Sequence, residues 1–314
     1  MIKKIIIVAA ALLLMIVLLE TGIRIFNLNE KLIIQRCPKK RDNINLSGFR
    51  DIEHAKQKPP GTYRIVIIGD SFTEGEGVDF NYIYPRLLDK ELNKLHSSFR
   101  YEVVNCSKAG KNASQEVHMY NNKCRNYNPD LIIMGYVLND TECSGEYNSI
   151  KAKYLQAQIF RKPVSSAGTF LFDHSELFKH IWCRLEYTRI NKIAKDLDMF
   201  YKEENPCYQE FKKAYYFMRN IKITDHTPIV IVMFPYFSYS LQKYPFLHIN
   251  KQLHAFFFGL GFNVIDLLDA YKPYKNSELK VCEWNAHPNA KAQQIAADTI
   301  LAYLKQTYLA SHLR

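Results

Sequence analysis

Four short stretches carry residue types that together could act on a carbonyl group. Gly69-Asp70-Ser71-Phe72-Thr73-Glu74-Gly75-Glu76-Gly77 sets a serine among glycines, so its hydroxyl can be exposed and its backbone N–H can point at a ligand. The stretch from Asn105 to Asn112 places Gly110 just ahead of a helix start, and Gly135 to Asp140 ends in the side-chain amide of Asn139. His287-Pro288-Asn289 supplies an imidazole close to the C-terminus. Singly, each is ordinary: a turn serine, a helix start, an Asx turn, a first-turn histidine. As a set they have a chemical logic. A serine hydroxyl is a poor nucleophile until a base takes its proton, and an imidazole can take that proton and return it to a leaving alcohol. The carbonyl oxygen gains negative charge during attack and needs donors aimed at it beforehand. The Ser71 N–H, the Gly110 N–H and the Asn139 amide could supply three, each typically worth ~3–4 kcal/mol of barrier. A phosphate-cradling P-loop is excluded at the first stretch, because no Gly-Lys-Ser/Thr closes it, and the dinucleotide fingerprint fails, because only a lone GxG is present.

Such residues act together only if the fold brings them to one place. Short apolar runs at Tyr63–Ile68, Tyr101–Val104, Leu131–Tyr136, Pro228–Phe234 and Phe262–Leu267 read as strands. Between and after them, helical patterns run over Tyr82–Leu95, Ser114–Arg125, Glu176–Tyr201, Cys207–Ile223, Asn250–Phe258 and Asn289–Tyr308. Apolar strands alternating with helix-length segments imply a parallel sheet covered on both faces. In such sheets ligands bind at the carboxyl ends of strands. The first three stretches lie at such ends, and His287 lies just before the last helix.

The N-terminus has a different character. After Met1-Ile2-Lys3-Lys4, apolar residues run unbroken from Ile5 to Leu19, and the apolar character continues through Ile23, Ile25 and Phe26. Glu20 and Arg24 are spaced i,i+4 and can pair. No small-x-small cleavage site follows Leu19, which favours a retained membrane anchor over a cleaved signal. Lys3 and Lys4 favour a cytoplasmic N-terminus, with the rest of the chain facing outward. The expected organisation is an anchor over 1–26, a polar linker over 27–61 ending in Lys58-Pro59-Pro60-Gly61, and a single α/β domain over 62–314.

Composition limits the remaining classes. The 314 residues are 47% hydrophobic and 23% charged, with a formal net charge of +11, which is ordinary globular usage with a basic bias. No zinc-finger spacing, RNP-like aromatic pattern or long Arg run points to nucleic acid. The densest basic cluster, Lys39-Lys40-Arg41, follows the apolar segment, where anionic headgroups would be near. The histidines show no HExxH or clustered spacing, so neither a metal nor a cofactor is expected. None of the seven cysteines forms a CxxC pair. In an oxidising compartment some could pair, while Cys106 and Cys183 read as small buried hydrophobes.

The order Ser, Gly, Asn, His at these places resembles the SGNH (GDSL-like) hydrolase superfamily. Gly69-Asp70-Ser71 matches its first block, Gly110 the second, Asn139-Asp140 the third and His287-Pro288-Asn289 the last, and the likeness covers Tyr63–Leu304. Glu20-Thr21-Gly22-Ile23-Arg24, Gly69–Val78 and Asp266–Asp269 are most similar to membrane-anchored bacterial members. The resemblance implies a three-layer α/β/α, flavodoxin-like fold with a five-stranded parallel sheet and a Ser71 nucleophile served by His287. It also implies an oxyanion hole from Ser71, Gly110 and Asn139, with structural support from Asp70 and Asp140. Asp266 and Asp269 are expected to brace a strand end.

One position departs from the family. Members usually place an Asp two or three residues before the histidine, and here those positions are Asn285 and Trp284. Three arrangements stay open: Glu283 reaching the imidazole, Asn285 orienting it as a neutral acceptor, or a dyad with a backbone carbonyl holding the tautomer. The expected function is a serine esterase or O-acyltransferase acting on O-acyl groups of an envelope glycan, lipid or surface polymer, from the cytoplasmic membrane and facing outward. The alternative is a weak or inactive domain that binds acylated glycans. The insertion Thr141–Ser175 is the expected specificity element. The aromatic runs Phe234–Ser240 and Phe256–Phe258 are expected to be core or lid.

Overall fold

The computed structural model describes residues 2–26, 42–141, 163–194, 197–282 and 285–312. The Lys39-Lys40-Arg41 cluster, Glu283, Cys37, Cys143 and most of the 141–175 insertion lie outside them. By their contacts the described elements form two units.

The larger unit is built on a five-stranded parallel sheet. Its strands are β1 (Thr62–Ile68), β2 (Arg100–Asn105), β3 (Leu131–Tyr136), β4 (Ile229–Met233) and β5 (Asn263–Asp266), in the order β2-β1-β3-β4-β5. The expected fold class is therefore what the chain adopts. Ile65–Ile68, Leu131–Tyr136 and Ile229–Met233 are buried throughout, because the central strands are covered on both faces. The edge strand β5 leaves Asn263 exposed.

The helices follow from the handedness of the crossovers. From β1 the chain moves one way to β2 through α3 (Tyr84–Leu92). It then moves the other way through α4 (Ala113–Met119), α7 (Pro206–Thr224) and α8 (Leu247–Gly259). Right-handed crossovers in opposite directions place α3 on one face and α4, α7 and α8 on the other. The last helix, α10 (Ala290–Thr307), packs against α3, and α4 packs against α7. The strand order reverses between β1 and β3, so the crevice at the carboxyl ends of these two strands is the switch point where α/β sheets bind ligands. Two short helices, α2 (Ser71–Glu74) and α9 (Leu268–Tyr271), follow β1 and β5. An antiparallel pair, β6 (Lys280–Cys282) and β7 (Asn285–Pro288), carries His287; nothing in the apolar pattern announced it.

Of the stretch read as a linker, residues 42–61 are described, and they are not an exposed tether. Phe49, Arg50 and Asp51 are buried. The Asn105 N–H donates to Asp51 Oδ2 at 2.7 Å, and Asn105 Nδ2 donates to the Arg50 carbonyl at 3.1 Å. A sequence lacking long apolar runs still binds the domain here, through a buried guanidinium and a carboxylate. Cys106 also corrects the reading. It forms a disulfide with Cys124 rather than lying as a free buried thiol. Cys207 and Cys282 are disulfide-bonded as well, and Cys183 is buried.

The smaller unit comprises α1 (Ile2–Ile25), α5 (Ser166–His174) and α6 (Glu176–Ala194). Helix α6 ends before Tyr201, and Leu197–Tyr201 is a separate 3-10 turn. Within α1, Lys3–Ile25 is long and apolar enough to cross a membrane, with a mean hydropathy of 2.7. Glu20 and Arg24 pair at 2.6 Å, as their spacing suggested. The Glu20 carboxylate also accepts from the Ser175 hydroxyl at 3.0 Å and from the Glu176 and Leu177 N–H groups at 3.0 and 2.8 Å. It thereby satisfies donors at the start of α6 that have no partner within the helix.

Candidate active site

The Ser71 turn is shaped by contacts that need glycine. Helix α2 opens at Ser71, capped by Asp70, whose Oδ1 accepts from the Phe72 N–H at 2.8 Å. The Thr73 side chain of α2 lies between β1 and β3. A Cβ on Gly69 would fall 2.2 Å from Thr73 Oγ1, and one on Gly135 would fall 2.3 Å from the same atom. Only two strands without side chains at these points let the turn sit so close to the sheet. Arg50 ties down the rest of the loop, donating to the Glu74, Gly75 and Val78 carbonyls at 3.1, 2.7 and 2.7 Å. Gln293 of α10 closes it from the other side. Its Nε2 donates to the Phe72 carbonyl at 2.9 Å, and its Oε1 accepts from the Tyr84 N–H at 2.8 Å.

Ser71 and His287, 216 residues apart, meet in this crevice, with His287 Nε2 2.7 Å from Ser71 Oγ. On the far side of the ring, Nδ1 contacts Asn285 Oδ1. That atom also accepts from the His287 backbone N–H at 3.1 Å, which identifies it as the amide's carbonyl oxygen. Nδ1 therefore carries the ring proton and donates it, leaving the Nε2 lone pair to accept from Ser71. Asp70 Oδ2 also faces Ser71 Oγ, at 3.3 Å, but the hydroxyl has one proton and the shorter contact holds it better. Of the residues left open for this side of the ring, Asn285 is the one in contact with Nδ1, and Glu283 lies outside the described residues. Phe72 packs its ring against the imidazole, with centroids 5.1 Å apart.

The loops that carry Asn139 and Gly110 also meet the Ser71 turn. Asn139 follows β3, and its Nδ2 donates to Asp70 Oδ2 at 3.3 Å. Its Oδ1 is buried and without a hydrogen-bond partner among the described residues. Gly110 lies in the loop after β2. That loop is bonded to the Ser71 turn by the Lys108 N–H, which donates to the Gly69 carbonyl at 3.0 Å, and by the Ala109 N–H, which donates to Glu74 Oε2 at 3.1 Å. The positive φ of Gly110, 75°, explains the glycine, since the space around it is open. Cys106–Cys124 fastens the start of the same loop to the turn beyond α4.

Asp70 and Asp140 occupy bracing positions. Asp140 Oδ2 accepts from the Val137 N–H at 2.8 Å and closes the turn after β3. Asp266 Oδ1 accepts from the Leu268 N–H and Oδ2 from Asn250 Nδ2, both at 2.9 Å, whereas Asp269 is exposed and pairs with Lys272. Phe234, Tyr236 and Phe237 are buried around Phe72, so this aromatic run is core behind the Ser71 turn. Phe257 is buried and Phe258 is exposed.

Two acids had no assigned part in the sequence reading. Glu76 Oε2 lies 3.8 Å from His287 Nε2 at the mouth of the crevice. Glu116 of α4 is fully buried, and neither carboxylate oxygen has a hydrogen-bond partner among the described residues. Burial pushes the Glu116 carboxyl well above its ordinary range, and the nearby Asp70 charge pushes the same way. Burial also raises Asp70, against the opposing pull of the Phe72 N–H and the imidazole. Arg50, Gln293 and Glu116 are isolated polar residues in sequence, with no motif to mark them. Glu76 sits inside the first block, but which way its side chain turns is a property of the loop.

No protein-family model matches this chain. A curated protein of Mycoplasma pneumoniae, described as uncharacterized, is 32% identical over 97 residues, covering 30% of this chain and 11% of that protein; the chain thus spans about a tenth of its length. Among solved structures, an α/β hydrolase from the metagenome of Lake Arreo, Spain, aligns at 17% identity and a TM-score of 0.48, over 76% of this chain and 94% of that one. A lipase/acylhydrolase from Enterococcus faecalis aligns at 16% identity and a TM-score of 0.42, over 78% and 96%. The structure named TesA aligns at 12% identity and a TM-score of 0.46, over 77% and 98%. The β2-β1-β3-β4-β5 parallel sheet, with the four sequence blocks at its strand ends and before its last helix, is a three-layer α/β/α fold.

Proposed function

We propose that this chain is a serine-dependent ester hydrolase. The observation that carries the reading is the 2.7 Å contact between Ser71 Oγ and His287 Nε2, with Nδ1 held by Asn285. Ser71 Oγ bonds to the acyl carbon as its proton passes to Nε2. The oxyanion meets donors at Ser71, Gly110 and Asn139. Collapse breaks the bond to the alkoxy oxygen, which takes the proton from Nε2 and leaves as the alcohol. Water then repeats the sequence on the acyl-serine, releasing the acid and restoring Ser71. An alcohol in place of water would make the same site an O-acyltransferase.

The substrate proposed is an O-acylated glycan, lipid or surface polymer at an outward membrane face. The apolar Lys3–Ile25 helix and the disulfides, which persist in oxidising compartments, support that location. A second reading is favoured by Asn285. A neutral amide cannot stabilise an imidazolium by charge, so the domain could bind acylated glycans while turning them over slowly or not at all. A fluorophosphonate probe separates the two. An activated Ser71 labels, and Ser71→Ala abolishes labelling. Absence of labelling in the parent protein refutes the hydrolase.

A further inference from the structure

We infer that Glu76 supplies negative charge that Asn285 does not, stabilising the protonated His287 from the Nε2 side. The inference rests on the hydrolase reading and goes beyond it. When Ser71 attacks, His287 becomes a cation. The residue on Nδ1 is an amide, which fixes the tautomer and contributes no charge. Among the described residues, Glu76 places a carboxylate on the other side, with Oε2 3.8 Å from Nε2. It is positioned from the backbone, since the Glu76 N–H donates to the Ser71 carbonyl at 3.0 Å and Gly75 takes the left-handed conformation just before it. The loop that presents the nucleophile therefore also presents the acid.

Asp70 is a poorer source of this charge. It reaches the imidazole only across Ser71, its carboxyl is pushed toward the neutral form by burial, and it already holds the Phe72 N–H and Asn139. The Glu76 side chain is 37% exposed and the imidazole 23%, so solvent weakens the attraction. At this separation and in a water-rich dielectric, the charge is expected to be worth about tenfold in rate. Glu76 is thus a positioning residue in the electrostatic sense: it acts on the reaction through His287.

The test is a double-mutant cycle between Glu76→Gln and Asn285→Asp, read by p-nitrophenyl acetate turnover and by the rate of fluorophosphonate labelling. Glu76→Gln keeps the shape of the side chain and removes its charge. The expected result is a drop of about tenfold in kcat with KM within about twofold. Asn285→Asp restores a carboxylate on the Nδ1 side, so in its presence the loss from Glu76→Gln should shrink below about threefold. A purely structural role for Glu76 would give the same loss in both backgrounds. An equal loss in both, or none in the parent, overturns the inference while leaving the hydrolase standing. A parent protein that neither labels nor hydrolyses overturns both.

Discussion

Asn139→Ala is the substitution that best separates chemistry from architecture in this site. The side chain has two amide protons, and the one contact made by Nδ2 among the described residues is a long one, 3.3 Å to Asp70 Oδ2. A hydrogen bond at that distance contributes at the low end of about 0.5–1.5 kcal/mol. Against it stands the buried Oδ1, which has no hydrogen-bond partner among the described residues, so truncation also removes a destabilising group. The two effects nearly offset, and the net change in stability should be within about 1 kcal/mol. That corresponds to about 2–4 °C in Tm for a domain of this size. The rate should respond very differently. If Nδ2 meets the oxyanion, its loss costs about 3–4 kcal/mol of transition-state stabilisation, or about 10²–10³-fold in kcat, with little change in KM. Both are measured on one preparation, by p-nitrophenyl acetate hydrolysis and by a thermal melt. A loss in kcat below about fivefold would refute the donor role. A fall in Tm above about 10 °C would instead make Asn139 a structural strut for the β3 loop.

The remaining expectations concern the supports of the site. Gly135→Ala places a methyl 2.3 Å from Thr73 Oγ1 and 3.1 Å from Tyr84 Oη. It should destabilise by about 1–3 kcal/mol and lower turnover further by pushing the nucleophile turn off the sheet; unchanged kinetics in a folded variant would exclude that coupling. Cys106 and Cys124 are separated by 18 residues, so Cys124→Ser should cost about 3 kcal/mol by urea denaturation. A cost near zero would mean that the loop is already ordered by its hydrogen bonds. Burial raises the Glu116 carboxyl above its ordinary value of 4.5, so above that pH the folded protein holds a proton the unfolded chain has lost. Stability from this group therefore falls as pH rises. Glu116→Gln should be more stable than the parent at pH 8, with the difference closing as the pH is lowered toward ~4. An equal difference at both pH values would refute the buried, protonated state.

The apolar runs were enough to place every strand of the sheet within about a residue or two, because central parallel strands are buried on both faces and their side chains leave no alternative. Each sequence block also fell where the strand pattern put it: Ser71 after β1, Gly110 after β2, Asn139 after β3, and His287 before α10. These features are local, or nearly so: continuous apolar side chains, glycines at turns, a cap ahead of a helix. The spacing of Glu20 and Arg24 likewise announced their pair.

What remained closed depended on long-range packing. Arg50 lies in a stretch that is polar by composition, and it is buried only because the Glu74, Gly75 and Val78 carbonyls turn toward it. Cys106 looks like a small core residue until the turn beyond α4 brings Cys124 to it. Between Glu283, Asn285 and a backbone carbonyl, no local rule could choose the partner of His287. The contact that is seen among the described residues comes from β7, which turns the Asn285 carbonyl oxygen onto the ring two residues on. The place of Glu76 beside that ring was hidden for the same reason. A side chain's direction out of a loop is decided by what the loop packs against, and here that is the rest of the domain.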